Sequence, residues 1–163
     1  MASIQITRAT EQHVAVVLEM IRGLADFEKL AHVVTATEEQ VRRTLFGDRP
    51  VAEVLLASFE AEYVGFAVFF TNYSTFLAKP GLYLEDLFVK PHARGKGVGK
   101  ALLARLAKIA VERGYWRMEW VVLDWNKPAI QFYKKLGAAP MDQWTTYRLK
   151  GESLEQLAER DSG

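Results

Sequence analysis

Residues 82–103 read LYLEDLFVKPHARGKGVGKALL. Leu82 to Val89 is an apolar, strand-like run that carries two adjacent carboxylates, Glu85 and Asp86. Three glycines then alternate, Gly95, Gly97 and Gly99, among Lys90, Arg94, Lys96 and Lys100 with no acid between. From Gly99 to Arg113 the apolar spacing is helical, with Leu102, Leu103, Leu106, Ile109 and Ala110 on one face. Strand, glycine-rich turn and helix in this order make an anion seat. Glycine lets the backbone approach a ligand and take positive φ. The start of the helix offers unsatisfied N–H groups and the positive end of its dipole. A pyrophosphate is the best match.

Two common phosphate motifs do not fit. A P-loop needs G-x-x-x-x-G-K-[ST], but Gly99-Lys100 is followed by Ala101, and Arg94 stands where its first glycine belongs. The dinucleotide fingerprint would need glycine where Lys100 stands. A nucleotide triphosphatase and a nicotinamide enzyme are therefore unsupported.

Outward from this stretch, Ile4 and Ile6 alternate in a short strand, and Thr10 precedes a helix with Val14, Val17, Leu18, Ile21 and Leu24 inward. Thr37-Glu38-Glu39-Gln40 is a capping box opening a helix that turns Val41, Leu45 and Phe46 to the core. Val51–Glu60 and Tyr63–Thr71 form a hairpin, Asn72–Gly81 a loop, and Trp116–Leu123 a further strand. Asn126-Lys127-Pro128 caps a short helix to Leu136; Trp144–Leu149 reads as a last strand, and Gly151 onward as an exposed helical tail. The order β–α–α–β–β–β–α–β–α–β implies an α/β (α+β) fold: a mixed sheet with helices on both faces.

The chain has 163 residues and half of it is apolar, which fits one domain over residues 1–163. There is no cysteine, which excludes disulfides, thiolate metal sites and cysteine nucleophiles and suits a reducing cytosol. His13, His32 and His92 show no metal spacing, so no metal is expected. With 21 basic and 20 acidic side chains, nothing argues for nucleic acid or an anionic membrane. No signal core or membrane-spanning run is present, and a cytoplasmic protein is expected.

Arg94, Gly97 and Gly99 satisfy Arg/Gln-x-x-Gly-x-Gly/Ala, and residues 126–138, NKPAIQFYKKLGA, follow N-x-x-A-x-x-F-Y-x-x-x-G-F/A. With the strand Leu84–Val89, these segments resemble the GNAT superfamily of N-acetyltransferases. Residues 24–30 (LADFEKL), Phe46-Gly47, Tyr83–Asp86 and 122–126 (VLDWN) resemble its diamine branch. That branch holds the spermidine/spermine and thialysine N-acetyltransferases. The resemblance implies a mixed sheet whose parallel strands, Leu82–Val89 and Trp116–Leu123, splay to admit the pantetheine arm of acetyl-coenzyme A. It implies cofactor contacts from Leu87, Phe88 and Val89, then from Arg94, Gly95, Lys96, Gly97, Val98, Gly99 and Lys100, and from Asn126, Ala129 and Tyr133. It also implies a homodimer.

Amide formation from a thioester and an amine needs the ammonium deprotonated, the carbonyl oxygen stabilised and the thiolate protonated. The resemblance implies Tyr133 as the acid, although its spacing with Ala129, Phe132 and Leu136 also fits a core position. The resemblance to the diamine branch implies Glu85 as the base, through a water; a hydrogen-bonded structural carboxylate is the other reading. Adjacent strand residues face opposite sides, so Glu85 and Asp86 cannot serve one point equally. Asp26 and Glu28 are candidates for holding the substrate's distal ammonium, or form a solvated helix face. Trp125 and Tyr147 either line the amine pocket by cation–π contact or pack. The expected activity is acetyl transfer from acetyl-coenzyme A to a primary amine of a small diamine, polyamine or thialysine-like amino acid. A protein N-terminus, a lysine or an antibiotic as acceptor, and an inactive coenzyme A sensor, are the alternatives.

Overall fold

The computed structural model describes residues 3–163. The chain forms two compact units, Met1–Val121 and Val122–Gly163.

The first unit holds a five-stranded sheet in the order β1 (Gln5–Arg8), β2 (Glu53–Phe59), β3 (Glu62–Ser74), β4 (Lys79–Val89) and β5 (Met118–Glu119). The first three pairings are antiparallel and β4–β5 is parallel, so the sheet is mixed as expected. The β2–β3 hairpin turns on Glu60 and Ala61, both at positive φ (52° and 65°). That geometry matches the right-handed twist of the arms.

Two helices sandwich the strands. α1 (Val14–Phe27) sets Val17 and Met20 against Val54, Leu56, Phe66, Val68 and Phe88, and Val41 of α2 (Glu38–Phe46) joins this core. α3 (Val98–Glu112) covers the opposite face. Both approaches are close. A Cβ on Gly23 would lie 2.7 Å from Cε1 of Phe88, and one on Gly65 would lie 3.3 Å from Cγ1 of Val98. Thr37 caps α2 as its sequence implies: the Gln40 N–H donates to Oγ1 of Thr37 (3.2 Å), and the Thr37 N–H donates to Oε1 of Gln40 (2.9 Å).

Three expected elements differ. The loop expected at Asn72–Gly81 shrinks to a turn at 75–78, and its flanks are paired strand, with Asn72↔Gly81, Tyr73↔Pro80 and Ser74↔Lys79 in register. A hairpin arm already aligned by its core residues extends its ladder through poor strand formers, because context outweighs β propensity. The strand at Trp116–Leu123 shrinks to Met118–Glu119, paired with Leu82 and Tyr83. Among the described residues no strand pairs with the β5 side of β4 beyond Tyr83. Trp144–Leu149 is in no strand and has no ladder partner among the described residues.

The second unit contains α4 (Lys127–Lys135) and α5 (Glu152–Ala158).

Candidate active site

The open edge of β4 comes first. The Lys90 N–H donates to the carbonyl of Val64 on β3 (2.8 Å). Backbone groups alternate sides along an antiparallel strand, so those of Phe88 also face β3. Those of Leu87 and Val89 therefore point to the side that β5 has left. Phe88 contributes its ring to the core, where it is 6% exposed.

The turn follows. A short 3₁₀ turn at Pro91–Ala93 leads to Arg94, and Gly97 is the N-cap of α3 at φ 87°. Gly95 is also at positive φ (74°), so both positions favour glycine. Gly99 lies within α3 at ordinary helical φ. Among the described residues no side chain caps α3, which leaves its first N–H groups without a side-chain acceptor. Val98 is 1% exposed and anchors the helix by its side chain, which leaves only its backbone to meet a ligand.

The cations of the turn divide. Lys90 is held by Glu19 (2.8 Å) and Glu62 (3.3 Å), so it belongs to a structural ion cluster and not to the anion seat. His92 also pairs with Glu62 (3.1 Å), in line with a turn residue. Arg94, Lys96 and Lys100 remain. The Nε of Arg94 donates to the carbonyl of Val89 (2.9 Å), and its guanidinium stacks 4.5 Å from the Phe27 ring centroid. Nζ of Lys96 lies 5.1 Å from the Phe59 ring. These aromatic seats were invisible to motif reading, since neither Phe27 nor Phe59 is near the turn in sequence.

A β-bulge interrupts the expected alternation at the two carboxylates. Val68 pairs with Asp86 and Phe69 with Leu84, which leaves Glu85 as the extra residue. A bulge re-aims the side chains on either side of it. Leu84 thereby stays with Phe69, while Asp86 shares a face with Val68 and Phe88, toward α1. Glu85 is exposed and Asp86 half-buried. Burial, then the charges of Glu85 and Glu28, push the Asp86 carboxyl up to about 6. Glu28, just past the end of α1, is itself raised by burial. Asp86, Glu85 and Glu28 thus form one negative field. Asp26 lies in the last turn of α1. Among the described residues no such cluster is disposed to hold a metal ion.

In the second unit, Asn126 caps α4: its Oδ1 accepts from the Ala129 N–H (3.4 Å). Its side-chain oxygen is therefore already engaged. Tyr133 lies on α4 with its ring tilted against Phe132 (centroids 5.8 Å apart). Burial pushes its phenol above the usual value, so it holds its proton at neutral pH. Trp125 is 49% exposed and Tyr147 is 93% exposed.

A cavity of about 450 Å³ on the first unit lies elsewhere, lined by Arg8, Glu53, Arg105, Lys108 and Arg113 above Leu55 and Phe69. Its charges already have partners. Glu53 takes a bidentate pair from Arg113 (2.6 and 2.8 Å) and a contact from Arg8, Arg105 donates to the Ile6 carbonyl, and Lys108 faces Glu112. It reads as a structural ion network.

Residues 20–138 match the model of the acetyltransferase (GNAT) family. The chain is 38% identical to mouse thialysine N-epsilon-acetyltransferase, over 98% of this chain and all of that protein. It is 33% identical to the Arabidopsis thaliana L-ornithine N5-acetyltransferase NATA1, over 94% of this chain and 87% of that one. Among solved structures, an integron cassette protein from the mobile metagenome of V. cholerae superposes with a TM-score of 0.79 at 27% identity, covering 96% of this chain and 98% of that one.

Proposed function

The chain belongs to the GNAT acetyltransferase family, and we propose that within it the protein moves an acetyl group from acetyl-coenzyme A to the primary amine of a small diamine, polyamine or thialysine-like amino acid. The observation that carries the substrate class is the near full-length likeness to enzymes named for thialysine and ornithine. The features of the first unit fit the co-substrate. Gly97 in the left-handed region, an uncapped helix start and the charges of Arg94, Lys96 and Lys100 suit a diphosphate. The outward amides of Leu87 and Val89 suit a strand-like arm. When bound, acetyl-coenzyme A supplies the thioester carbonyl that the amine attacks.

The remaining steps fall to this chain. Glu28 and Asp26 hold the distal ammonium of the acceptor. The carboxylate pair on β4 takes the proton from the attacking nitrogen. The resemblance to the diamine branch favours Glu85; the burial of Asp86 and its carboxyl near 6 favour Asp86 as the titrating member, with Glu85 raising its proton affinity. As the C–N bond forms and the C–S bond breaks, Tyr133 donates its proton to the departing sulfur. Asn126 and Ala129, at the start of α4, contribute to cofactor binding, and Trp125 and Tyr147 line the amine subsite. We further propose a homodimer, supported by the exposed Trp144, Tyr147, Leu149, Leu154 and Leu157 of the second unit.

Thiol release from acetyl-coenzyme A tests the reading, measured with thialysine, spermidine, putrescine, ornithine, lysine and short peptides. Small primary amines should turn over fastest. Silence across all acceptors, or a preference for peptide N-termini, would overturn it. Tyr133→Phe should lower kcat by about 10²-fold, the scale of general acid catalysis, with little change in cofactor affinity.

A further inference from the structure

We propose that Phe27 is a positioning residue that ties the cofactor turn to the amine-holding end of α1, so that filling either one tightens the other. The proposal rests on the cofactor reading above.

Arg94 has two fixed points. Its Nε donates to the Val89 carbonyl (2.9 Å), and its guanidinium lies 4.5 Å from the Phe27 ring centroid, with the Phe88 ring at 5.7 Å. With Nε committed inward, the two Nη groups are the ones left to meet a phosphate. A guanidinium is rigid and planar, so an anion bound at Nη holds in place the group that lies over the Phe27 ring. The contact therefore transmits occupancy of the turn to the ring.

Phe27 cannot move without its neighbours. It is the last residue of α1, between Asp26 and Glu28. The chain beyond it is closed by three backbone bonds: Glu28 N–H to Leu24 O (2.9 Å), Lys29 N–H to Asp26 O (3.0 Å) and Leu30 N–H to Ala25 O (2.7 Å). Lys29 takes positive φ (61°) to allow this closure. Ordering the ring thus orders both carboxylates. The same segment bears on β4, because the charge of Glu28 helps to raise the Asp86 carboxyl. A partly exposed cation–π contact is worth a factor of about two to five in an equilibrium. Coupling between two binding sites is reciprocal, so amine and cofactor should each gain by the same factor.

Titration calorimetry on the full chain tests this. The probes are coenzyme A, which lacks the acetyl group and prevents turnover, and thialysine or whichever amine the turnover assay ranks first. The unaltered protein should bind the amine about two to five times more tightly when saturated with coenzyme A. Phe27→Leu keeps an apolar side chain and removes the ring; it should still bind coenzyme A, with the ratio reduced to one. Phe27→Tyr should restore the ratio, an outcome that a merely structural role for Phe27 does not predict. A ratio of one in the unaltered protein, or a ratio preserved in Phe27→Leu, overturns the coupling. Absence of any heat with coenzyme A, or with every amine of the panel, is a different result. It removes the cofactor or substrate reading, and the coupling with it.

Discussion

The glycine turn and the carboxylate pair lie within one continuous stretch of chain, yet they work by opposite means. The turn acts through backbone: left-handed glycines and an uncapped helix start expose N–H groups whatever the side chains nearby do. The pair acts through environment: after a bulge Asp86 faces α1, where burial and neighbouring charges raise its proton affinity. The first is local chemistry, and the second is made by the fold.

The largest effect should come from breaking the pair. Asp86→Asn should lower turnover by about 10²-fold and remove the rise in rate near pH 6, the scale expected for losing a general base. Glu85→Gln should instead lower the proton affinity of Asp86 and move that rise to lower pH, since the Glu85 charge helps to hold the Asp86 carboxyl up. If Glu85→Gln abolishes the rise and Asp86→Asn leaves it intact, the roles are reversed. Stability carries the same signature. The native state binds the Asp86 proton more tightly than the unfolded chain does, so stability should fall as pH rises from about 4 to about 6. Asp86→Asn should flatten that fall and, above it, stabilise the protein by about 1–2 kcal/mol, an amount discounted for partial solvent access. Denaturant melts across this pH window measure it.

An intermediate effect should come from the turn. Gly97→Ala places a Cβ on a residue at φ 87°, costing about 1 kcal/mol or more in stability. It should weaken coenzyme A binding by about tenfold through the distorted helix start, with no change in the acidic limb of the pH–rate profile. A shifted limb would mean that the two regions are not separable.

The smallest effects should come from the cations. Lys100→Ala should weaken coenzyme A a few-fold and reduce the salt dependence of binding. Lys90→Ala should leave coenzyme A affinity unchanged, because that ammonium serves Glu19 and Glu62. It should alter stability by less than about 1 kcal/mol, as expected for ion pairs near the surface. A loss of affinity equal to that of Lys100→Ala would return Lys90 to the anion seat.

Legibility in the sequence followed the range of the interactions involved. The capping box at Thr37, the hairpin at Glu60-Ala61, the helix after the glycine turn and the Asn126 cap all rest on contacts a few residues apart, and all appear in the structure. The extension of β3 and β4 into residues 72–74 and 79–81, and the shortness of β5, depended on strand partners that propensity does not see. Charge counting overstated the turn by including Lys90, whose partners Glu19 and Glu62 are remote in sequence.

The sequence by itself determined the order of elements as far as α4, the glycines at 95 and 97 that take left-handed backbone and the residue types available for proton transfer, because these depend on neighbouring covalent geometry and short hydrogen-bonded rings. Only the tertiary structure decided which cations remain for an anion, that Arg94 rests on Phe27, and that Asp86 is half-buried while Glu85 stays exposed. Those outcomes depend on burial and on charges brought together from distant positions, and a linear chain does not carry either until it packs.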